Sequence, residues 1–225
     1  MCGIFGAIGH HQRLKPELVD LLRHRGPDGS GFYQDPKKLV CFGHTRLSII
    51  DLTNAGRQPM TDDSGRYVLT YNGEIYNYRD LRAQLTECGY HFATQSDTEV
   101  ILYAFREWGT ECLSRFRGMF AFGLYDRGAT FGPDPKNKRY LPDTPYLFLA
   151  RDRFGIKPLC YNKTNESVFF ASELRFLLQA GLADFDLNRS ALRDFFTFGS
   201  ISGPRTVLAG VEQLPPAHFL VVNQT

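Results

Sequence analysis

The sequence has no block of like charge. Its 26 Lys and Arg stand against 24 Asp and Glu, a formal net charge of +2 over 225 residues. Without a basic stretch, nothing predicts electrostatic capture of nucleic acid or of an anionic membrane. No apolar run approaches the ~18 residues of a membrane-spanning helix, and the opening residues lack the basic flank and long apolar stretch of a secretory signal. Cysteine is sparse. The five, Cys2, Cys41, Cys88, Cys112 and Cys160, are odd in number, far apart and include no Cys-x-x-Cys pair. That argues against a disulfide framework and for reduced thiols in a cytoplasmic protein. His10 and His11 adjoin, but neighbouring residues do not converge on one ion and no Cys or carboxylate cluster lies nearby, so no metal site is expected. Regular alternation of strand and helix is also missing, which argues against a doubly wound sheet.

What is present is aromatic: 19 Phe and 11 Tyr in a chain that is 43% hydrophobic, the make-up of a strand-rich globular domain. The length fits one domain over 1–225. Apolar runs bounded by turn residues predict strands over 4–8, 31–33, 39–50, 67–71, 119–125, 146–150 and 168–171. Pro16 opens a short amphipathic helix that ends near Arg25-Gly26-Pro27. Asn77 is placed to cap a helix over 78–88, and Ser96 with Glu99 to form a capping box for the next. Two more helices are expected over 172–180 and 188–196. Four prolines between two apolar strands mark 128–145 as a surface insertion. The last apolar stretch, through Phe219-Leu220-Val221-Val222, has no polar cap and reads as a strand at which a longer protein continues.

Four segments hold groups suited to amide hydrolysis. In Met1-Cys2-Gly3-Ile4-Phe5-Gly6, removal of Met1 would give one residue both a thiol and a free α-amine. With a reference pKa of ~7.7–8.0 against ~10.4 for Lys, that amine can take the thiol proton near neutrality. Cys2 is equally explained as a small residue ahead of a buried strand. Arg46, inside an apolar stretch, needs an anion, whether a substrate carboxylate or a structural acid. Asn72-Gly73 offers a side-chain and a backbone N–H, an oxyanion hole or an ordinary hairpin turn, with Glu74 beside it as an ammonium acceptor. Asp97 is a second ammonium acceptor or only a favourable charge at a helix start. Together these groups fit an α-amino acid with a side-chain amide, of which glutamine is the natural candidate.

Six collinear blocks carry a resemblance to a known family. They are the N-terminal hexapeptide, Arg23-His24-Arg25-Gly26-Pro27-Asp28-Gly29-Ser30-Gly31, Gly43-His44-Thr45-Arg46-Leu47-Ser48-Ile49-Ile50-Asp51-Leu52, Tyr71-Asn72-Gly73-Glu74-Ile75-Tyr76-Asn77, Ser96-Asp97-Thr98-Glu99 and Asp152-Arg153-Phe154-Gly155-Ile156-Lys157-Pro158-Leu159. The chain resembles the class II glutamine amidotransferases, which are N-terminal nucleophile hydrolases, and most of all the glutaminase half of glutamine-hydrolysing asparagine synthetase. The resemblance implies an α+β fold, a four-layer αββα sandwich. It assigns Cys2 as nucleophile, Asn72 and Gly73 as oxyanion donors, and Arg46, the backbone of Leu47, Ser48, Ile49 and Ile50, Glu74 and Asp97 to the glutamine α-groups. Arg25 and the 26–31 loop would shape or cover the pocket.

The resemblance also implies that ammonia passes to a synthetase domain that is not in this chain and that would hold ATP and Mg²⁺. This chain itself is expected to need no cofactor. The Ser-Gly-Gly-Leu-Asp-Ser pyrophosphate loop of the family's synthetase half occurs nowhere in this sequence, and Cys160 stands where an aromatic is more usual. A related amidotransferase with another acceptor, or a silent glutamine-binding module, shares the same residues. The apolar last strand leaves room for a homodimer.

Overall fold

The computed structural model describes residues 1–10, 13–128, 136 and 138–223. The N-terminal apolar run forms β1 (Gly3–Gly9), with Ile4 and Ile8 on one face and Phe5 and Ala7 on the other, all buried. A strand covered on both faces must lie inside layers. β1 pairs with β3 (Val40–Arg46) and β9 (Ser167–Ala171). Adding β2 (Gly29–Gln34), β8 (Cys160–Lys163) and β10 (Val211–Gln213) gives a six-stranded sheet ordered β10-β8-β9-β1-β3-β2. A five-stranded sheet runs β11-β7-β6-β5-β4, from β11 (Phe219–Asn223), β7 (Tyr146–Arg151), β6 (Gly118–Asp126), β5 (Tyr67–Ile75) and β4 (Met60–Thr61). The strand pairs are antiparallel throughout.

The alternation along the strands divides the core into three slabs. Ile4, Ile8, Phe42 and Phe170 meet Val68, Ala121, Tyr125 and Leu147 between the sheets. Outside the five-stranded sheet, Tyr67, Leu69, Phe122 and Phe148 pack under α1 (Tyr78–Glu87) and α2 (Asp97–Trp108). Outside the six-stranded sheet, Phe5, Cys41 and Phe169 pack with Leu22 and Phe176 from a helical turn over Pro16–Leu22 and α4 (Leu174–Gln179), where the rings of Phe5 and Phe176 stack at 4.3 Å. Helices, sheet, sheet and helices are the four layers of an α+β sandwich.

Local readings change in several places. Pro16–Leu22 is 3₁₀ and not α, a short segment laid flat on the sheet with only Leu22 fully buried. Asn77 does not cap α1. Its side chain instead donates to Arg115 O at 3.0 Å and accepts from Arg117 N at 2.9 Å, tying down α3 (Cys112–Arg115) and the approach to β6. Ser96 caps α2 through the N–H of Thr98 at 3.1 Å, and Glu99 turns back to the N–H groups of Ala93 and Thr94 at 2.9 and 2.8 Å, so no reciprocal box forms. The strand expected over 39–50 stops at Arg46, because Asp28 takes the N–H of Ser48 at 2.8 Å and bends the chain. Asn188 accepts from Ala191 N at 3.1 Å and starts α5 (Arg189–Phe198), whose Phe196 and Phe198 are exposed. Residues 129–135 and 137 of the expected insertion lie outside the described residues. On its described flank, Lys136 pairs with Glu107, and Thr110 donates to Arg139 O at 3.2 Å.

Two bonds between the sheets hold β5 against β3: Thr70 Oγ1 donates to Gly43 O, and His44 Nε2 to Tyr71 O, both at 3.2 Å. The carbonyl can only accept, so His44 carries its proton on Nε2, and its buried Nδ1 has no partner among the described residues. Burial holds the imidazole neutral, its pKa lowered to about 3 against 6.5, the Tyr71 carbonyl opposing the shift. Below pH 6.5 the unfolded chain binds a proton that the fold refuses, so this contribution is complete above 6.5 and is lost as pH falls toward 3. By pH 4.5 the loss reaches roughly 2–3 kcal/mol, at about 1.4 kcal/mol per unit. Urea unfolding at pH 7 and 4.5 tests it. His44→Gln, which keeps an N–H for Tyr71 O, is expected to lose that much less stability across the interval than the parent.

Candidate active site

Cys2 leads into β1 and is held by its surroundings on three sides. Leu47 N–H donates to Sγ at 3.3 Å and the thiol points to Leu47 O at 3.6 Å. Arg25 Nε donates to Cys2 O at 2.9 Å, and its Nη1 to Glu173 at 2.9 Å, where His24 also binds. The next residue, Gly3, donates to Thr45 Oγ1 at 3.2 Å. Burial raises the thiol pKa, while the Leu47 N–H, the N-terminal ammonium, Lys157 and Arg46 lower it. Arg25 and residues 26–31, expected to shape or cover the pocket, are not among the residues that line it. Arg25 lies behind the Cys2 backbone, and Gly29–Gln34 is the edge strand β2.

A cavity of about 160 Å³ opens at Cys2. An engineered cavity of about 150 Å³ takes up benzene, so the space suits a molecule of that order. Its opposite wall is the end of β5. Asn72 and Gly73 do not make a hairpin turn; they lie inside the strand, opposite Ala121 and Phe120. Along one edge of β5, Tyr71 N donates to Gln58 Oε1 at 2.6 Å and Ile75 N to Asp97 Oδ2 at 3.0 Å. Alternation puts the N–H of Gly73 on that same edge between them, facing the cavity. Asn72, only 1% exposed, has its Nδ2 without a hydrogen-bond partner among the described residues. Such a buried donor costs free energy unless something arrives to accept from it. A Cβ on residue 73 would come within 2.3 Å of Met119 O, so the close approach of β5 to β6 admits only glycine.

Arg46, Leu47, Ile49, Ile50, Glu74 and Asp97 line the cavity; Ser48 does not, its N–H being turned to Asp28. Arg46 is spent differently from a free carboxylate clamp. Its Nη1 donates to Thr53 O at 2.7 Å and its Nη2 to Asp51 O, which leaves three of five N–H bonds for a ligand. Gly56 makes room for that guanidinium, since a Cβ there would meet Nη2 at 2.3 Å. Asp97 accepts from Tyr71 Oη at 2.8 Å as well as from Ile75 N, so it anchors the end of β5 while facing the pocket. Burial raises its pKa, against the hydrogen bonds from Ile75, Tyr71 and its own backbone that lower it.

Gln58 and Lys157 are among the wall residues that sequence reasoning passed over. Gln58 carries no local signal, because its role is to replace a neighbouring strand beside Tyr71. Lys157 stood inside one of the resemblance blocks without a role; it is 5% exposed and lines the cavity with Cys2.

The chain matches a family described as a glutamine amidotransferase domain over residues 1–225. It belongs to the glutamine amidotransferase family. Among relatives of this amidotransferase domain, asparagine synthetase [glutamine-hydrolyzing] 1 of Bacillus subtilis (strain 168) is 38% identical over 99% of the chain and 34% of its own length. A putative asparagine synthetase [glutamine-hydrolyzing] of Mycobacterium tuberculosis (strain ATCC 25618 / H37Rv) is 40% identical over 88% of the chain and 30% of its own length. Amidase chry2 of Gibberella zeae is 34% identical over 98% of the chain and 32% of its own length. The chain thus spans about a third of the length of the relatives it matches. The fold is shared with glutamine phosphoribosylpyrophosphate amidotransferase from B. subtilis, at TM-score 0.61 and 22% identity over 80% of the chain and 44% of that structure. A regulatory enzyme of purine biosynthesis superposes at 0.64, with 20% identity over 99% of the chain and 47% of that structure.

Proposed function

We propose that residues 1–225 form the ammonia-producing domain of a longer cytoplasmic protein and hydrolyse the side-chain amide of glutamine. Once Met1 is removed, the α-amine of Cys2 takes the thiol proton as Sγ attacks the amide carbon. The carbonyl oxygen becomes an oxyanion between Asn72 Nδ2 and Gly73 N–H. Collapse of this intermediate expels ammonia, with the amine returning its proton to the leaving nitrogen, and leaves a glutamyl thioester on Cys2. Water then attacks the thioester, giving glutamate and the free thiol. Arg46 offers its remaining N–H bonds to the α-carboxylate, and Glu74 and Asp97 face the α-ammonium.

One observation carries this reading: a thiol and an unpartnered buried amide donor face the same amino-acid-sized cavity. The asparagine synthetases among the relatives support aspartate as the ammonia acceptor, activated with ATP and Mg²⁺ by the remaining two thirds of such a protein. The amidase chry2 relative supports a second acceptor class on the same ammonia source.

The test is processing. In this structure Met1 carries the terminal amine and lines the cavity. Chain whose intact mass shows Met1 removed should convert glutamine to equal amounts of glutamate and ammonia. Chain that retains Met1 should be at least about 10²-fold slower, the usual scale of general-base loss. Equal rates for the two forms would sink the amine's role, and no glutamate from either would sink the reaction.

A further inference from the structure

Lys157 is a cation on the cavity wall for which the reaction above has no use, and its setting is unusual. β7 ends at Arg151, and the chain then wraps round the fully buried carboxylate of Asp152. That carboxylate accepts four N–H bonds: from Phe154 and Ile156 at Oδ1, both 3.0 Å, and from Lys157 and Phe120 at Oδ2, at 3.0 and 3.1 Å. Arg151 closes the loop from outside. Its Nε donates to Lys157 O, its Nη2 to Gly155 O and its Nη1 to Leu214 O, each at 2.7 Å. The backbone of residue 157 is therefore fixed from both sides, to the start of β6 through Phe120 and to the chain before β11 through Leu214. Nothing in this lattice uses the lysine side chain. Among the described residues the Lys157 ammonium makes no hydrogen bond or ion pair, although the residue is 5% exposed.

A lysine so placed is costly. Burial lowers its pKa, and Arg25 adds to the effect, while the Cys2 sulfur, Asp152 and Glu74 oppose it. Asp152 has its oxygens taken by four N–H donors, so it has no lone pair free for a direct hydrogen bond to the ammonium, and the cavity offers Cys2 and Glu74. The cavity holds Cys2 on the same lining as Lys157, with Glu74 and Arg46 also on it.

We infer that Lys157 is a positioning residue of this site, its side chain placed on the cavity wall by a fixed backbone so that its ammonium can face the negative charge on Cys2 Sγ when the thiol gives up its proton. The inference rests on Cys2 being the nucleophile, as in the proposed function. It adds a cation to the amine and the Leu47 N–H already at the sulfur, and it explains why an Arg151–Asp152 lattice is built around a residue whose own side chain is left unpaired. The α-amine remains the proton acceptor; Lys157 makes the acceptance easier. The same positive charge would bear on the thiolate again when it leaves the thioester.

The test reads the thiol itself and not glutamine turnover, so it succeeds or fails independently of whether the chain is a glutaminase. Cys41, Cys112 and Cys160 are buried and Cys88 is exposed, so a Cys88→Ser background leaves Cys2 as the accessible thiol. Alkylation of Cys2 by iodoacetamide, followed by peptide mass from pH 5 to 10, gives a pH–rate profile for the parent and for Lys157→Met, Lys157→Gln and Lys157→Arg. All samples carry the same N-terminus, verified by intact mass. The neutral variants should react about tenfold more slowly at neutral pH, with the profile moved to higher pH, as expected when an opposite charge is removed from beside a thiolate. Lys157→Arg should stay near the parent. A purely structural lysine would leave the profile of a folded neutral variant where it was, and that result overturns the inference. So does a Lys157→Arg profile displaced as far as that of Lys157→Met. If Met unfolds the loop, Gln and Arg decide alone.

Discussion

Cys2→Ala is expected to lower glutamine hydrolysis by about 10⁴-fold or more, the scale on which loss of a covalent nucleophile acts in other acyl-transfer enzymes. The effect should fall on kcat, because the walls that face the substrate are built by β5, the 46–50 segment and the start of α2, and of these only Leu47 is bonded to the sulfur. The cost to folding should be small. Cys2 is only partly buried, and its backbone is held through Arg25 and its neighbour Gly3 through Thr45, bonds that an alanine keeps. Glutamate formation measured beside a thermal unfolding curve separates the two. A glutamine-mimicking diazoketone supplies the complementary result, an adduct whose peptide mass lies on residue 2. The remaining thiols are poor competitors: burial pushes Cys41 and Cys112 far up and Cys160 up to about 11, and Cys88 sits at the end of α1, away from the cavity. Undiminished turnover in Cys2→Ala, or an adduct on any of those four, would end the assignment.

The parts of this architecture that could be read from the chain are those where a short apolar run settles its own conformation. Residues 4–8, 119–125 and 146–150 were legible as strands and lie within β1, β6 and β7, because bulky residues buried on both faces leave no other outcome. The short strands β4, β8 and β10 were not. Met60–Thr61, Cys160–Lys163 and Val211–Gln213 take their extended form from the neighbours they pair with, and no local signal distinguishes them from loop. Asn72-Gly73 shows the same limit inside the site. Its local chemistry says hairpin, and the nine-residue register between β5 and β6 overrides it. Arg46 looked like a residue within a strand in need of an acid, and instead it ends the strand and turns to the carbonyls of Thr53 and Asp51. The groups with chemistry were visible as residue types, whereas their supports, Gln58, Gly56 and the loop round Asp152, exist only through contacts distant in sequence.

That distinction decides which half of the oxyanion site can be tested cleanly. The Gly73 N–H belongs to the backbone, and a side chain there would drive into Met119 O, so Gly73→Ala would disturb β5 before it told anything about catalysis. Asn72 is different because its Nδ2 has no hydrogen-bond partner among the described residues. Removing an unpartnered buried donor takes away no native bond, and the fold is relieved of a desolvated amide in exchange for a small void. Asn72→Ala should therefore leave the unfolding midpoint near that of the parent. Its kcat for glutamine should nevertheless fall about 10²–10³-fold, or roughly 2.7–4 kcal/mol of transition-state stabilisation, with KM little changed, since the donor meets full negative charge only in the tetrahedral intermediate. Stopped assays of glutamate release at saturating glutamine give kcat, and a concentration series gives KM. Asn72→Asp sharpens the contrast: it keeps the shape, replaces the donor with a carboxylate facing the oxyanion, and should be at least as slow as Asn72→Ala. If kcat in Asn72→Ala stayed within threefold of the parent, the oxyanion would have to be held by Gly73 N–H and other groups, and the unpartnered amide would lose the function assigned to it.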